Sequence, residues 1–518
     1  MSGAASRGPD WARGYVLDVP YVSQFTHDLT PEHLALCCGI AGYTVPDLSQ
    51  PFRWLDLGCG AGVTPALLGP LYPHAEFWGV DFNPDHIGHA EALAASVGAT
   101  NVQFRDCSFA ELDAEGLPQF DFVVMHGVLS WVGAAARAEA MAFLRRHLKR
   151  GGIVFASYNC VPGWAASVPL RDLLAQAFDL AHGTSHDRMA AAVDVAETVL
   201  RLNPRLTEAN PALADRLVSL RRQDHRYIAH EYLVREWDLF HHRDIVRLMA
   251  DARLSWIGPG SVVDALPELS LTPEMQAHLA EIADPAERET RRDILLGAQF
   301  RRDLFTRGRQ RAPLDVQRLW GQQVRFASLS ITEELPGEVD GPAGAIAVSE
   351  ERFRPYLDAL AKGPASVAEI AAAVGQRNGA VPLERCFVDL LTLVAAGLAR
   401  TAPPESVVAA ALPASQAANR TLLAQAVAGR SAPALLLPVT GSAVTLDDVE
   451  QLLLGHWVAG RDPVTAVAAL LSQRNQHIST ADGEPVPHGA ATEAALAEVF
   501  QITRTQRIPL LQTLGALA

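Results

Sequence analysis

The sequence predicts an α/β protein built on a doubly wound, Rossmann-like sheet, and three observations carry this prediction. A glycine-rich turn follows a short apolar strand within residues 55–62. Acidic residues stand where the next two strands end, and apolar runs alternate with helical segments over residues 51–164. Strands that alternate with helices form a mainly parallel sheet, whose ligands lie beyond the carboxyl ends of the strands.

The glycine-rich turn comes first along the predicted sheet. Gly58, Gly60 and Gly62 stand at every second position, with Cys59 between the first two. Glycine lets the backbone turn sharply and admits a ligand without a Cβ in its path. The spacing differs from the G-x-G-x-x-G pattern, whose third glycine packs the helix under a dinucleotide pyrophosphate. Asp56, two residues before the turn, would repel a pyrophosphate and attract an ammonium group.

Acidic residues end the second and third predicted strands. Asp81 ends the apolar run 77–80, where a carboxylate accepts from both ribose hydroxyls. The third strand ends near Asp106, an acceptor for an adenine amino group. The predicted cofactor-binding residues are Asp56, Gly58, Cys59, Gly60, Gly62, Asp81, Phe82, Asp106, Cys107 and His126. Together they suit S-adenosylmethionine better than NAD.

Two further apolar runs and a helical lead-in complete the predicted core. Residues 120–125 and 152–158 have the composition of strands that are buried on both faces. Before the core, Thr30-Pro31 predicts the start of a helix. Residues 1–50 are therefore expected to form a helical lid over the cofactor.

The motifs of the predicted core resemble those of class I S-adenosylmethionine-dependent methyltransferases. Residues 56–62, Asp81, Asp106 and Phe120-Asp121 carry this resemblance. The segments 21–31, 126–132, 157–164, 230–233 and 300–301 resemble bacterial methyltransferases with an appended regulatory domain. That group includes the rickettsial-type protein-lysine methyltransferases that act on outer-membrane proteins. The resemblance implies a seven-stranded methyltransferase sheet and S-adenosylmethionine as the methyl donor.

The chain length predicts about three domains after the lid. We expect the methyltransferase core over residues 51–164, with its sheet completed by later strands, a helical cap or regulatory domain over 165–320, and a winged-helix-like α+β domain over 321–518. The third helix of that last domain is poor in positive charge, which favours protein interaction or packing over DNA binding. The arginine-rich segment 291–305 is interpreted as a solvated helix face rather than an anion site.

Aromatic residues near the fourth and fifth strand ends are candidates for the acceptor site. An apolar aromatic pocket favours a neutral amine and still cradles a cation. Trp131, Tyr158 and Trp164 are the candidates, joined by Tyr21 from the lid. Each of them has core packing as its alternative role.

Polar residues near the same strand ends complete the catalytic candidates. His126 is placed either to accept a proton or to bind a loop, and Asn159 to bond an acceptor. Glu231 would lie opposite a lysine ammonium, with a surface ion pair as its alternative. Residues 126–129 replace the Asn-Pro-Pro-Tyr motif of nucleobase and glutamine methyltransferases, which argues against those acceptors.

Composition excludes several classes of protein. The net charge of −15 argues against nucleic-acid binding and against recruitment to an anionic membrane. The six cysteines show no C-x-x-C pair, so no metal site is expected. Without a signal-peptide core or a long apolar run, the protein is expected to be cytoplasmic, with no membrane insertion. A homodimer is left open.

Three functions are compatible with these features of the sequence. The first is a protein-lysine N-methyltransferase that acts by direct in-line transfer. The second is an O- or N-methyltransferase of a small molecule or glycan. The third is a regulatory protein that binds the cofactor without turnover, and the intact Gly58, Gly60, Gly62 and Asp81 disfavour it.

Overall fold

A seven-stranded mixed sheet forms the centre of the molecule. The structure is a computed structural model that describes residues 24–114, 116–221, 228, 231–234, 236–330, 335–479 and 484–518. The strands are β1 (Arg53–Leu57), β2 (Glu76–Asp81), β3 (Val102–Asp106), β4 (Phe120–Met125), β5 (Leu148–Asn159), β6 (Ser255–Pro259) and β7 (Phe300–Thr306). Their order is β3-β2-β1-β4-β5-β7-β6. The first five are parallel, and β7 is antiparallel to both neighbours. The predicted Rossmann-like seven-stranded sheet is confirmed.

Helices from the first part of the chain cover both faces of this sheet. They are α1 (Pro31–Ile40), α2 (Val63–Leu71), α3 (Pro84–Ser96), α4 (Phe109–Ala114) and α5 (Ala134–His147). Helix α1 begins where the sequence predicts, because the Thr30 hydroxyl accepts from the His33 backbone N–H and Pro31 occupies the first helical position.

The sheet separates two hydrophobic cores. Successive side chains of a strand point to opposite faces. Trp54 therefore joins the core that contains α1 and α2, whereas its neighbour Leu55 joins the core that contains α4 and α5. Both side chains are fully buried. Burial on both faces is the property that the apolar runs of the sequence indicated.

The region predicted as a helical cap contains helices and two strands of the central sheet. Its helices are α6 (Val161–Trp164), α7 (Val168–Leu180), α8 (Ser185–Leu202), α9 (Pro204–Ala209), α10 (Ala212–Leu220), α11 (His242–Asp251), α12 (Val262–Ala265), α13 (Pro267–Ser270), α14 (Pro273–Ala280) and α15 (Pro285–Leu296). Residues of α7, α8 and α10 pack around Leu174, Met189 and Leu217 in a core of their own. The chain then returns to the sheet through β6 and β7.

The arginine-rich segment 291–305 is not the solvated helix face that the sequence predicted. Helix α15 ends at Leu296 and β7 follows, so residues 300–305 of the segment lie in the sheet. Strand β7 lies between β5 and β6, and most of its residues are buried. Arg292 and Arg301 are each only 5% exposed. Arg301 is paired with Asp293 and Asp303 inside the protein.

The C-terminal region begins with a three-stranded sheet, a two-stranded sheet and four helices. Its first elements are α16 (Leu314–Gln323), β8 (Arg325–Ser328), β9 (Gly337–Val339), β10 (Ile346–Val348), α17 (Glu350–Leu360), β11 (Ala365–Ser366), α18 (Val367–Asn378), α19 (Leu383–Ala395) and β12 (Ala399–Ala402). Helix α18 begins with a capping box, in which the Ser366 and Glu369 side chains bond each other's backbone N–H groups.

The winged-helix prediction differs from the structure at the wing. A winged-helix domain has a β-wing after its third helix. After α17, α18 and α19 the structure has the single strand β12, which pairs with β8 from before α17. Pro403-Pro404 follows β12 directly. Proline cannot donate to a strand ladder but is tolerated at a helix start, so the chain leaves the sheet and begins a long helix.

Some of the remaining C-terminal elements share a core with the central sheet, whereas others pack in a smaller cluster. They are α20 (Glu405–Val427), β13 (Leu435–Leu437), β14 (Ser442–Val444), α21 (Asp448–Val458), α22 (Pro463–Arg474), α23 (Ala490–Ile502) and α24 (Ile508–Thr513). Leu390 and Leu435 belong to the same core as Trp54 of β1. Helices α22 and α23 pack with α21 in the smaller cluster. The Tyr72 hydroxyl donates to the Gly441 carbonyl at 3.1 Å. Within the described residues, we find no helix with the length and apolar character needed to cross a membrane.

Candidate functional site

The glycine-rich turn after β1 forms one end of the site. Gly58, Gly60 and Gly62 all have positive φ angles, of 88°, 53° and 63°. A Cβ on Gly58 would lie 2.6 Å from Val128, and one on Gly62 would lie 2.4 Å from Ala90. A Cβ on Gly60 would meet nothing within 4 Å. Gly58 and Gly62 are thus required by packing, whereas Gly60 faces open space. The spacing predicted no packing role for the third glycine, yet Gly62 has one at the start of α2.

A cavity of about 670 Å³ opens beside this turn. It lies beyond the carboxyl ends of β1, β2, β3 and β4, as expected for an open α/β sheet. The predicted residues that line it are Asp56, Gly58, Cys59, Gly60, Gly62, Asp81, Phe82, Asp106, Cys107, His126 and Trp131. The structure therefore brings the whole predicted cofactor-binding set to one cavity.

Asp81 is held in place by backbone groups of the site. The Gly60 N–H donates to one Asp81 carboxylate oxygen at 2.9 Å, and the Asn83 N–H donates to the other at 3.0 Å. The His86 ring nitrogen lies 3.1 Å from the second oxygen. Asp81 thus ties the glycine-rich turn to the end of β2.

Asp56 is the most deeply buried acid of the cavity. It is 4% exposed, and among the described residues its Oδ1 has no hydrogen-bond partner. Burial, together with repulsion from Asp81, raises the pKa of Asp56 to about 8. A buried carboxyl with an unsatisfied oxygen is costly unless a ligand supplies a donor.

His126 lies at the end of β4, and its ring faces the cavity. Its Nδ1 is 3.0 Å from the Ser157 hydroxyl, which also accepts from the Gly127 N–H. Burial lowers the pKa of His126 to about 4, so the imidazole is neutral and only weakly basic at pH 7. Of the two roles that the sequence left open, the contact with Ser157 fits loop binding, and the low pKa disfavours a role as proton acceptor.

Three predicted catalytic residues do not line the cavity. The Tyr158 side chain is buried, and its hydroxyl donates to Asp303 at 2.5 Å. The buried Asn159 backbone is covered by Phe240, whose N–H donates to the Asn159 carbonyl. Trp164 packs inside the helical cap. The end of β5 is closed by the segment around Phe240, which a sequence pattern does not reveal. Tyr21 lies outside the described residues, and so does His230, the first residue of the segment 230–233.

Further residues complete the walls, and among them the sequence singled out only Glu231 as a candidate for the acceptor site. Gln24, Thr26 and Leu29 contribute from the segment before α1, and the Thr26 N–H donates to the Thr64 hydroxyl at 3.1 Å. Glu139 contributes from α5. The sequence offers one local indication for Glu139. It stands three residues after Ala136, so the two share a helix face, and both line the cavity. Glu231, Val234 and Glu236 come from far along the chain.

The lining of the cavity is acidic. Its carboxylates are those of Asp56, Asp81, Asp106, Glu111, Glu139, Glu231 and Glu236. Among the described residues, no lysine or arginine lines it. Such a lining attracts a cationic ligand and repels a phosphate.

Two family models match the chain, each over one part. A model described as a methyltransferase domain matches residues 55–154, which span β1 to β5. A model described as a predicted methyltransferase regulatory domain matches residues 224–307. The second match begins near Glu231 and ends after β7.

Two of the similar proteins match nearly the whole chain, and a third matches about half of it. Uncharacterized protein sll1526 of Synechocystis sp. is 32% identical over 506 residues, which are 98% of this chain and 99% of that protein. Uncharacterized protein RP789 of Rickettsia prowazekii is 27% identical over 293 residues, covering 56% of this chain and 52% of its own. The structure of PKMT2 from Rickettsia typhi in complex with AdoHcy superposes with a TM-score of 0.70 at 18% identity. That match covers 96% of this chain and 100% of PKMT2 and shows a shared fold.

Proposed function

Because the chain belongs to the class I S-adenosylmethionine-dependent methyltransferases that carry a methyltransferase regulatory domain, we propose that it methylates lysine side chains of proteins by direct in-line transfer. The observation that carries the choice of acceptor is the acidic lining of the cavity. Glu139, Glu231 and Glu236 line the same cavity as Trp131, and among the described residues no lysine or arginine lines it. The resemblance of residues 126–132 and 157–164 to rickettsial-type protein-lysine methyltransferases supports the same acceptor.

The cofactor side of the cavity fits S-adenosylmethionine. We assign Asp56, with its unsatisfied Oδ1, to the amino-acid ammonium, Asp81 to the ribose hydroxyls and Asp106 to the adenine amino group. The open space at Gly60 leaves room for the nucleoside. When bound, the cofactor supplies a methyl group on a sulfonium, which is already a good leaving group. The chain therefore needs to align the acceptor and exclude water.

The acceptor side of the cavity fits an amine that arrives as a cation. Carboxylates attract the ammonium, and the Trp131 ring offers an aromatic face to it. The neutral His126 adds no repelling charge, since burial holds its pKa near 4. A lysine must lose a proton before it can attack, so the site also needs a proton acceptor.

Protein methylation is tested with methyl-labelled S-adenosylmethionine and a bacterial lysate. We expect labelled protein bands, and mass spectrometry of those bands should find the label on lysine side chains. Label confined to small molecules or glycans would overturn the lysine proposal and support the second function considered from the sequence. The Asp81→Ala variant serves as the control for labelling that does not depend on the cofactor site.

Cofactor binding is expected to release close to one proton at pH 7. Asp56, with its pKa of about 8, is mainly protonated before binding, whereas a bound ammonium stabilises the carboxylate. Affinity should therefore rise with pH between pH 6 and pH 7.5. Calorimetry with S-adenosylhomocysteine in two buffers of different ionisation enthalpy measures the proton count.

The Asp56→Asn variant controls this measurement. It cannot ionise, so its binding should release no proton, and its affinity should lose the rise with pH. If the wild-type protein binds without proton release, Asp56 does not meet the ammonium group.

A further inference from the structure

The acceptor side of the cavity is closed by a segment far from the methyltransferase motifs. This segment, of which the structure describes residues 231–234 and 236–240, lies in the part of the chain that matches the regulatory-domain model. Its Asp238 N–H donates to the Ser130 carbonyl at 2.9 Å, and Arg137 of α5 pairs with the Asp238 carboxylate. Its far end is bonded to β5 through Phe240. The segment is thereby fastened along the loop after β4 and places Glu231, Val234 and Glu236 on the cavity.

Glu231 is one of three glutamates on this wall of the cavity. Glu236 is exposed, whereas Glu139 and Glu231 are both partly buried. Burial raises the pKa of Glu231 to about 7, a rise that Arg216 only partly offsets. A carboxyl with a pKa near the working pH is well suited to receive and release a proton.

Among the described groups, Arg216 is the cation that acts on Glu231, and its guanidinium bonds to other residues. Arg216 donates to the Tyr232 hydroxyl at 2.6 Å and to the Gln299 side chain at 3.2 Å, and its guanidinium lies 4.7 Å from the centre of the Trp164 ring. Within the described residues, Glu231 has no ion-pair partner. The surface ion pair considered from the sequence is therefore not seen there.

We propose that Glu231 receives the acceptor, binding the incoming lysine ammonium through its carboxylate and taking one of its protons. This inference rests on the proposed function. Transfer of an N–H proton to a Glu231 oxygen leaves a lone pair on the lysine nitrogen. That lone pair forms the new N–C bond as the S–C bond breaks, and the electrons of the broken bond remain on sulfur. Glu231 later returns the proton to water. The regulatory domain thus completes the active site of the methyltransferase domain.

The test uses two analogues of S-adenosylhomocysteine in which nitrogen replaces sulfur. One carries a 2-aminoethyl group, which places an ammonium where the acceptor nitrogen would be, and the other carries a neutral 2-hydroxyethyl group. Calorimetry should show that the wild-type protein prefers the aminoethyl analogue by about tenfold or more, since it gains a charged hydrogen bond. The preference should be larger at pH 8 than at pH 6, because Glu231 ionises between them. The charged groups to consider beside Glu231 are Arg216, which acts on its carboxyl, and Glu139 and Glu236, which line the same cavity.

The Glu231→Gln variant should lose this preference and its pH dependence, while its affinity for S-adenosylhomocysteine changes less than about twofold. The Glu32→Gln variant is the matched control. Glu32 is also a buried carboxyl whose pKa burial raises to about 8, but it does not line the cavity, so its variant should keep the preference.

The outcomes separate the two proposals. If the wild-type protein shows no preference for the aminoethyl analogue, the lysine acceptor itself is wrong. If the wild-type preference is present and Glu231→Gln retains it, the role of Glu231 is wrong while the proposed function stands.

Discussion

Replacement of Arg301 by leucine is expected to lower the free energy of unfolding by about 3–5 kcal/mol, because it leaves buried carboxylates without their counter-ion. Arg301 donates to Asp293 at 2.7 Å, to Glu289 at 3.0 Å and to Asp303 at 2.9 Å. Burial alone would raise the pKa of Asp303, but Arg301 and His242 lower it well below the ordinary range. Urea denaturation followed by tryptophan fluorescence measures the loss, since Trp256 donates to Asp303 at 2.9 Å.

An exposed arginine provides the matched control for this experiment. Arg221 pairs with Asp194 and Glu197, and its side chain is 47% exposed. Surface pairs of this kind are worth roughly 0–1 kcal/mol, so Arg221→Leu should change stability by no more than that. A loss below about 1 kcal/mol for Arg301→Leu as well would show that the buried cluster does not hold β7 in the sheet.

The Asp81→Ala variant is expected to weaken cofactor binding by at least about 2 kcal/mol, or about 30-fold in Kd. The physical reason is the loss of a charged acceptor for the ribose hydroxyls. The Gly60 N–H loses its partner in the same variant, so the glycine-rich turn is also less well ordered. Calorimetry with S-adenosylhomocysteine measures the affinity.

Asp121 supplies the control carboxylate for this measurement. It stands at the opposite end of the sheet, near the start of β4, where it accepts from the Arg53 N–H at 2.8 Å and from Lys149 at 2.7 Å. Asp121→Ala should leave the affinity unchanged. Equal affinity in wild type and Asp81→Ala would instead show that the ribose is bound elsewhere.

The cofactor side of the site was accessible to sequence reasoning because each of its residues belongs to a strand or to the turn that follows it. Parallel strands end at one edge of the sheet, so Asp56, Asp81 and Asp106 had to meet once the strands were recognised. The acceptor side did not follow this rule. Tyr158 and Trp164 stand near the end of a strand, yet the segment around Phe240 covers the end of β5. The Tyr158 hydroxyl bonds to Asp303, and Trp164 packs inside the helical cap.

Arg301 is a second residue whose surroundings the sequence did not reveal. Its neighbours in the sequence suggested an exposed helix, because an arginine-rich run is usually solvated. Whether an arginine is solvated depends on what packs around it, and here β5 and β6 flank its strand. The carboxylates that stabilise it come from α15 and from β7 itself.

The sequence by itself determined the α/β class, the glycine-rich turn with its three acids and the methyl donor, since these depend on local spacing and strand order. Only the tertiary structure decided which groups face the acceptor and which arginines are buried. Glu139 and Glu231 meet at one cavity although 92 residues separate them along the chain. Such contacts arise when distant segments pack together to remove apolar surface from water, and no local pattern encodes the partners they bring together.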